Sequence, residues 1–351
     1  PFFLSGNSYI YLMILVTGGT GLVGSHLLLE LTKAGKKLRA IYRSSNKLAD
    51  VKKVFSYYLS EKEAELLFNS IEWLEADITE IPSLDKAFLG ITKVYHCAAL
   101  ISFNEKNARK MRKINIEGTA NIVNSCLKFK VQKLCYVSSI ATLDLAIGEK
   151  EIHENFTWYP EKDHNDYAIS KHGGEIEVWR GTQEGLPAII VNPGVILGAG
   201  FWHNGSGKIF SRLNKGLNYH FPKTTGFVGV KDVSKAMCLL MDSSIENEQF
   251  ILTSENRSFK NILELVAKSI HKKVPEKTLQ PWMVYLGWMY QSISSKLWGA
   301  KKILSRTDAK TLFEQSFYSA EKIKSTLNFE FTPLHEVINE TGALFLKDHR
   351  S

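Results

Sequence analysis

TGGTGLVG, residues 17–24, is the stretch that most restricts the fold of this 351-residue chain. Gly18, Gly21 and Gly24 repeat at every third position, directly after the apolar run MILV (13–16). Leucines at helical spacing follow in SHLLLELTKAG, ending at Gly35, a residue suited to a helix C-terminus. The glycines therefore fall on a strand-to-helix turn. Without side chains, such a turn brings backbone N–H groups and a helix N-terminus close to a phosphate, which points to a dinucleotide pyrophosphate.

Further apolar runs alternate with helical patterns. LRAIYR (38–43), IEWLEAD (71–77), KVYHCAA (93–99), KLCYVSS (133–139) and AIIVNPG (188–194) read as strands, and 47–68, 107–129 and 166–184 read as helices. The alternation predicts an α/β fold, a Rossmann-type doubly wound parallel sheet. After Pro193 the pattern loosens through GAGFWHNGSGKIF into shorter elements, expected to form a smaller C-terminal substrate-binding lobe. The expected organisation is an upstream extension at 1–12 with Met13 as natural start, a cofactor-binding unit at 13–195, and a substrate lobe at 196–351 interleaved with it.

Composition narrows the function classes. A hydrophobic content of 44% and a charged content of 23% are those of a soluble globular protein. The net charge of +8 suits an anionic ligand, but Lys and Arg are scattered without a long basic run, so nucleic acid is not an expected partner. Cys97, Cys126, Cys135 and Cys238 form no CxxC pair; reduced thiols in a cytoplasmic protein are expected, and no metal site. The apolar stretch before Met13 is too short to span a bilayer and lacks a basic leader pattern.

The end of the second predicted strand bears on the cofactor. A carboxylate there would bind the ribose hydroxyls of NAD, whereas an arginine accepts the 2′-phosphate of NADP. This chain has Tyr42 and Arg43, followed by SSNK. A guanidinium fork matches phosphate, so NADP(H) is preferred and NAD(H) stays possible. In YAISK (167–171), Tyr167 and Lys171 lie one helical turn apart on one face. A neighbouring ammonium is expected to lower the phenol's pKa from near 10 and so let it exchange a proton. VSSIAT (137–142) puts Ser138 and Ser139 at a strand's end; Ser139 is expected to orient a carbonyl oxygen and Ser138 to cap the loop.

With HCAAL (96–100), INIEGT (114–119) and NPGVILG (192–198), this ordered set resembles the extended short-chain dehydrogenase/reductase family from about residue 13 to 345. The resemblance implies that Gly18, Thr20, Gly21, Leu22 and Val23 line the pyrophosphate and that Arg43 meets the adenosine phosphate. It further implies that Asp77 and Ile78 flank adenine, that Ala98 and Ala99 pass the ribose, and that Pro193, Gly194 and Val195 border the nicotinamide. Catalysis would fall to Ser139, Tyr167 as acid or base, and Lys171, which also holds the ribose. His96 and Asn115 read as structural.

Departures from pattern sort the branches. Ile140, Ala141 and Thr142 stand where 4,6-dehydratases of the family carry Thr-Asp-Glu, and GFVGVKDVSKA (226–236) begins without the arginine that clamps a sugar-nucleotide diphosphate. Arg43 and the aromatic-rich C-terminal part look more like the dihydroflavonol reductase and 3β-hydroxysteroid dehydrogenase branch. The expected activity is NADP(H)-dependent reduction of a carbonyl, or oxidation of a secondary alcohol, on a partly apolar small molecule. The alternatives are a nucleotide-sugar epimerase holding NAD and an inactive cofactor-binding regulator. PWMVYLGWMYQSISSKLWG (281–299) reads as a substrate cover, as a helix packed on its own core, or as a membrane-surface helix. Homodimerisation through 107–129 and 166–184 is implied by the resemblance alone.

Overall fold

The computed structural model describes residues 13–102, 104–155, 158–298 and 310–349, without the side chains of 290 and 292–298. The extension at 1–12 lies outside them, as does residue 299 at the end of the aromatic segment. Strands β1 (Met13–Thr17), β2 (Lys37–Tyr42), β3 (Glu72–Glu75), β4 (Ile91–His96), β5 (Lys133–Val137) and β6 (Ala188–Pro193) start within two residues of the apolar runs that announced them. They form one sheet with a late strand, Glu248–Leu252, in the order β3-β2-β1-β4-β5-β6 and then that strand. Every pairing in it is parallel. A parallel sheet needs a helix in each crossover and is covered on both faces, which is the doubly wound fold expected.

The two faces are legible residue by residue. Ile14 and Val16 pack into one core and Leu15 into the other; in β5, Cys135 faces the first and Leu134 and Tyr136 the second. This alternation follows from the period of two in a strand. Helix α1 (Leu22–Lys33) packs Leu27, Leu28, Leu29 and Leu31 into the first core. Truncating any one of these fully enclosed leucines to alanine is expected to cost about 2–5 kcal/mol.

Two helix expectations needed correction. The stretch 47–68 is two helices, α2 (Leu48–Tyr58) and α3 (Glu61–Asn69), because Ser60 starts a new helix by a reciprocal cap with Glu63. The stretch 107–129 holds α4 (Ala108–Arg112), one π-helical turn at Lys113–Glu117 and α5 (Gly118–Lys128). Asn115, inside that widened turn, takes the Leu100 amide on its side-chain oxygen (2.7 Å) and donates to the Leu100 carbonyl and to Ser170 Oγ (2.9 Å each). It thus fastens the loop after β4 to the next helix, α6 (Asp166–Gln183).

The smaller lobe is built on a three-stranded sheet of Val195–Leu197, Thr224–Gly229 and Glu255–Ser258. A third core, with Trp202, Phe210, Phe227 and Phe345, belongs to it. In the helix Pro281–Trp298, Trp282, Tyr285, Leu286 and Met289 recur at i, i+3, i+4 and i+7 and are exposed, whereas Val284 is buried. The reading of this stripe as the helix's own core is therefore not what the structure has.

Candidate active site

The glycine turn is shaped by close approach. Gly18 has φ +67°, and a Cβ there would lie 2.5 Å from the Ala98 amide nitrogen; a Cβ on Gly24 would lie 2.2 Å from the Gly18 carbonyl oxygen. Both positions exclude side chains, one by backbone conformation and both by space. Gly21, the N-cap of α1, donates its N–H to the Gly18 carbonyl at 3.0 Å. The next amides, of Leu22, Val23 and Gly24, begin a helix and have no intrahelical acceptor. Thr20, Leu22 and Val23 are partly exposed beside them. A backbone cradle of this shape, open at its N–H end, fits a pyrophosphate.

At the carboxyl end of β2, Arg43 is about half exposed and reaches Asp77 Oδ2 at 3.7 Å. Asp77 also caps its own loop, with Oδ1 accepting from the Thr79 amide (2.9 Å) and hydroxyl (2.8 Å). Burial opposes ionisation of Asp77, but the Thr79 bonds and the Arg43 charge outweigh it and hold the carboxyl below its ordinary value. Ile78 is buried, turned toward Gly118, where a Cβ would lie 2.6 Å from Ile78 Cδ1. Ala98 donates its N–H to Thr17 Oγ1 at 3.3 Å, and Ala99 is exposed. His96 is a core residue: its ring contacts Thr17 Oγ1 (2.6 Å) and Thr119 Oγ1 (3.0 Å), and burial drives its pKa down to about 3.

The second cluster is set by α6 and the end of β5. Asn165 caps α6, its side-chain oxygen accepting from the Ala168 amide at 2.8 Å. The helix carries Tyr167 and Lys171 one turn apart. Lys171 is 2% exposed, its Nζ donates to the Val137 carbonyl at 2.7 Å, and it sits 4.3 Å above the Tyr136 ring. Desolvation lowers its pKa to about 8, with Glu175 and Cys97 acting in the opposite direction. The Ser139 hydroxyl faces the Tyr167 phenol closely enough to favour its phenolate. Burial raises the Tyr167 pKa, the Ser139 hydroxyl lowers it, and Glu175 raises it again. The phenol therefore lies above its ordinary value, not below it as expected, and Lys171 is not among the groups that move it.

The expected loop cap is Ser139, not Ser138. Ser139, in extended backbone, caps the 3-10 turn Ile140–Thr142 by accepting from the Ala141 amide at 3.2 Å; Ser138 Oγ is buried without a hydrogen-bond partner. One hydroxyl thus both caps and meets Tyr167. Next to it, Pro193 ends β6 buried, Gly194 passes so near Gly226 that a Cβ would lie 2.4 Å from that carbonyl oxygen, and Val195 is partly exposed. Sequence reasoning passed over Glu175 and Asn192, both buried next to this cluster. The spacing of Glu175, four residues beyond Lys171 on the same helix face, was the available signal.

A sequence profile of the NAD dependent epimerase/dehydratase family matches residues 14–252. A putative dihydroflavonol 4-reductase from Synechocystis sp. is 23% identical over 92% of this chain and 91% of its own length. Among solved structures, UDP-glucose 4-epimerase of Thermotoga maritima with UDP-glucose superposes with a TM-score of 0.76 at 19% identity, covering 96% of this chain and 100% of that one. Yeast methylglyoxal/isovaleraldehyde reductase Gre2 complexed with NADPH gives 0.72 at 17% identity, covering 97% and 99%. The glycine cradle, the parallel sheet above which it sits and the profile match agree: this chain is an NAD(P)-dependent enzyme of the NAD dependent epimerase/dehydratase family.

Proposed function

We propose that the protein is an NADP(H)-dependent oxidoreductase that interconverts a carbonyl and a secondary alcohol on a partly apolar small molecule. The observation that carries this reading is the meeting of Tyr167 with Ser139, next to a buried Lys171 on the same helix face. Gly18, Thr20, Gly21, Leu22 and Val23 are the residues that would hold the pyrophosphate, Arg43 the 2′-phosphate, Asp77, Ile78, Ala98 and Ala99 the adenosine side, and Pro193, Gly194 and Val195 the nicotinamide. When bound, such a cofactor supplies a hydride equivalent to the carbonyl carbon or takes one from the alcohol carbon. The rest belongs to the chain.

In the reducing direction Ser139 donates a hydrogen bond to the carbonyl oxygen and Tyr167 gives its proton to that oxygen as charge develops on it. The phenolate left behind is stabilised by the Lys171 ammonium and recovers a proton from water. In oxidation the same groups run in reverse. A phenol that keeps its proton at neutral pH is in the form that carbonyl reduction needs. Ile101, Leu145 and Ile147, all exposed, lie on the loops after β4 and β5, and present apolar surface at the strand ends where a substrate would enter. The reductase name of the Synechocystis relative agrees with that substrate chemistry.

The test is quenching of intrinsic fluorescence by NADPH and by NADH, followed by a panel of aromatic and aliphatic ketones and aldehydes. Tighter NADPH binding and turnover of an apolar carbonyl are expected. Tighter NADH binding with a rise in melting temperature on adding a UDP-sugar would replace this reading by an epimerase.

A further inference from the structure

Glu175 is a buried carboxylate that the chemistry above does not use. It lies one turn beyond Lys171 and two beyond Tyr167, and is 4% exposed. Its Oε1 accepts from Thr142 Oγ1 at 2.8 Å and from Asn192 Nδ2 at 2.7 Å. Both groups also lie against the Ser139 carbonyl, Thr142 Oγ1 at 2.8 Å and Asn192 Nδ2 at 3.0 Å, and the single hydroxyl proton of Thr142 goes to either Glu175 or that carbonyl. Asn192 Nδ2 and Thr142 Oγ1 are also 3.0 Å apart. Three elements therefore converge on one carboxylate oxygen: α6, the turn that carries Ser139, and the end of β6.

A buried charge is costly unless paired and hydrogen-bonded, and a core of this size has many apolar ways to join a helix to a turn. A carboxylate is not needed for joining alone. We propose that Glu175 is a positioning residue for the reaction: it ties the helix bearing Tyr167 and Lys171 to the turn bearing Ser139, and it sets a carboxylate one and two turns along that helix from them. The proposal rests on the functional reading above.

The electrostatic half follows from the surroundings. On its own helix Glu175 is near Lys171, Tyr167 and His172, whose Nδ1 is 3.8 Å from Oε2. From β5 it faces Tyr136, and from the loop after β4 Cys97 acts on Lys171. A fixed negative charge there disfavours the phenolate and favours the ammonium, so both groups hold their protons to higher pH. For a reductase, that extends the range in which Tyr167 can act as an acid.

Two substitutions separate the halves. Glu175→Gln keeps an oxygen for Thr142 and Asn192 but removes the charge. With a carbonyl that the wild type reduces, the alkaline limb of kcat/KM is expected to move down by about one pH unit, as for loss of a close charge, with NADPH affinity little changed. Thr142→Val keeps the charge and removes the hydroxyl bridge to Ser139; a severalfold loss in kcat with the limb unmoved is expected. A folded Glu175→Gln with wild-type limb, or a Thr142→Val with wild-type kcat should the first variant not fold, overturns the proposal. A readout that does not need turnover is the alkaline ultraviolet difference between each protein and its Tyr167→Phe counterpart. It isolates one phenol, whose pKa is expected to fall on going from Glu175 to Gln; an unchanged value overturns the proposal as well. A wild type that binds NADPH but reduces no carbonyl counts against the functional reading, and the ultraviolet result still decides this one.

Discussion

The two ends of the candidate cofactor site are built in opposite ways. At one end Lys171, Glu175, Thr142 and Asn192 are buried, and each makes hydrogen bonds at 2.7 to 3.0 Å. At the other, Arg43 and Asp77 form an ion pair at 3.7 Å with the arginine about half in solvent. In the first environment a charge is worth several-fold more than in water and geometry is imposed. In the second, screening keeps any one contact small. The catalytic end should therefore fail abruptly under substitution, and the adenosine end should change in small, separable steps.

The largest effect expected is at Tyr167. Replacing it by Phe removes only the hydroxyl oxygen, so NADPH affinity should stay within about threefold while turnover falls by about 10²–10⁴, the range for loss of a positioned proton donor. Steady-state rates with fluorescence titration of NADPH check both halves. Turnover within tenfold of wild type would break the contrast at its strong end.

Next is Gly18→Ala, which probes the backbone joining the two ends. The residue has φ +67° and no room for a Cβ beside Ala98. Left-handed backbone costs an ordinary residue about 1–2 kcal/mol and forced contact about 1–3 more. A melting temperature lower by several degrees and a matching loss of NADPH affinity are expected, read by thermal unfolding with and without the nucleotide.

How much of this was legible beforehand follows the same division. The parallel sheet could be read because strands buried on both faces leave continuous apolar runs, as in AIIV before Asn192, and because the glycine turn follows the first of them. The break at Ser60 was also written in the chain, as Ser-x-x-Glu, but the leucines and alanines on either side hid it inside one helical period. That Ser139 and not Ser138 caps the turn after β5 was not legible, since the hydroxyl of either serine can bond a nearby backbone amide. The direction at Tyr167 was hidden for a different reason: the spacing to Lys171 is visible in the chain, whereas the burial that dominates the phenol's shift is a property of the folded molecule.

At the adenosine end, Arg43→Ala should weaken NADPH by about tenfold to a hundredfold, the worth of one or two charge-assisted hydrogen bonds, and leave NADH nearly unaffected. The difference should shrink as salt is raised, because the guanidinium is exposed. An equal loss for both nucleotides would mean that Arg43 holds the fold of the loop and not a phosphate.

The smallest effect has the most specific sign. Asp77 draws on the Arg43 guanidinium and places a negative charge where the 2′-phosphate would come. Asp77→Asn keeps an oxygen for the Thr79 amide, so the loop cap survives, but it frees the arginine and removes a repulsion. Exposed pairs of this kind are worth up to about 1 kcal/mol, so NADPH should bind up to about fivefold tighter, with NADH changed less. Paired titrations of the two nucleotides at low salt measure it. Weaker NADPH binding by Asp77→Asn would show that the carboxylate orients Arg43 for the phosphate instead of competing with it, and the adenosine end would then be as cooperative as the catalytic one.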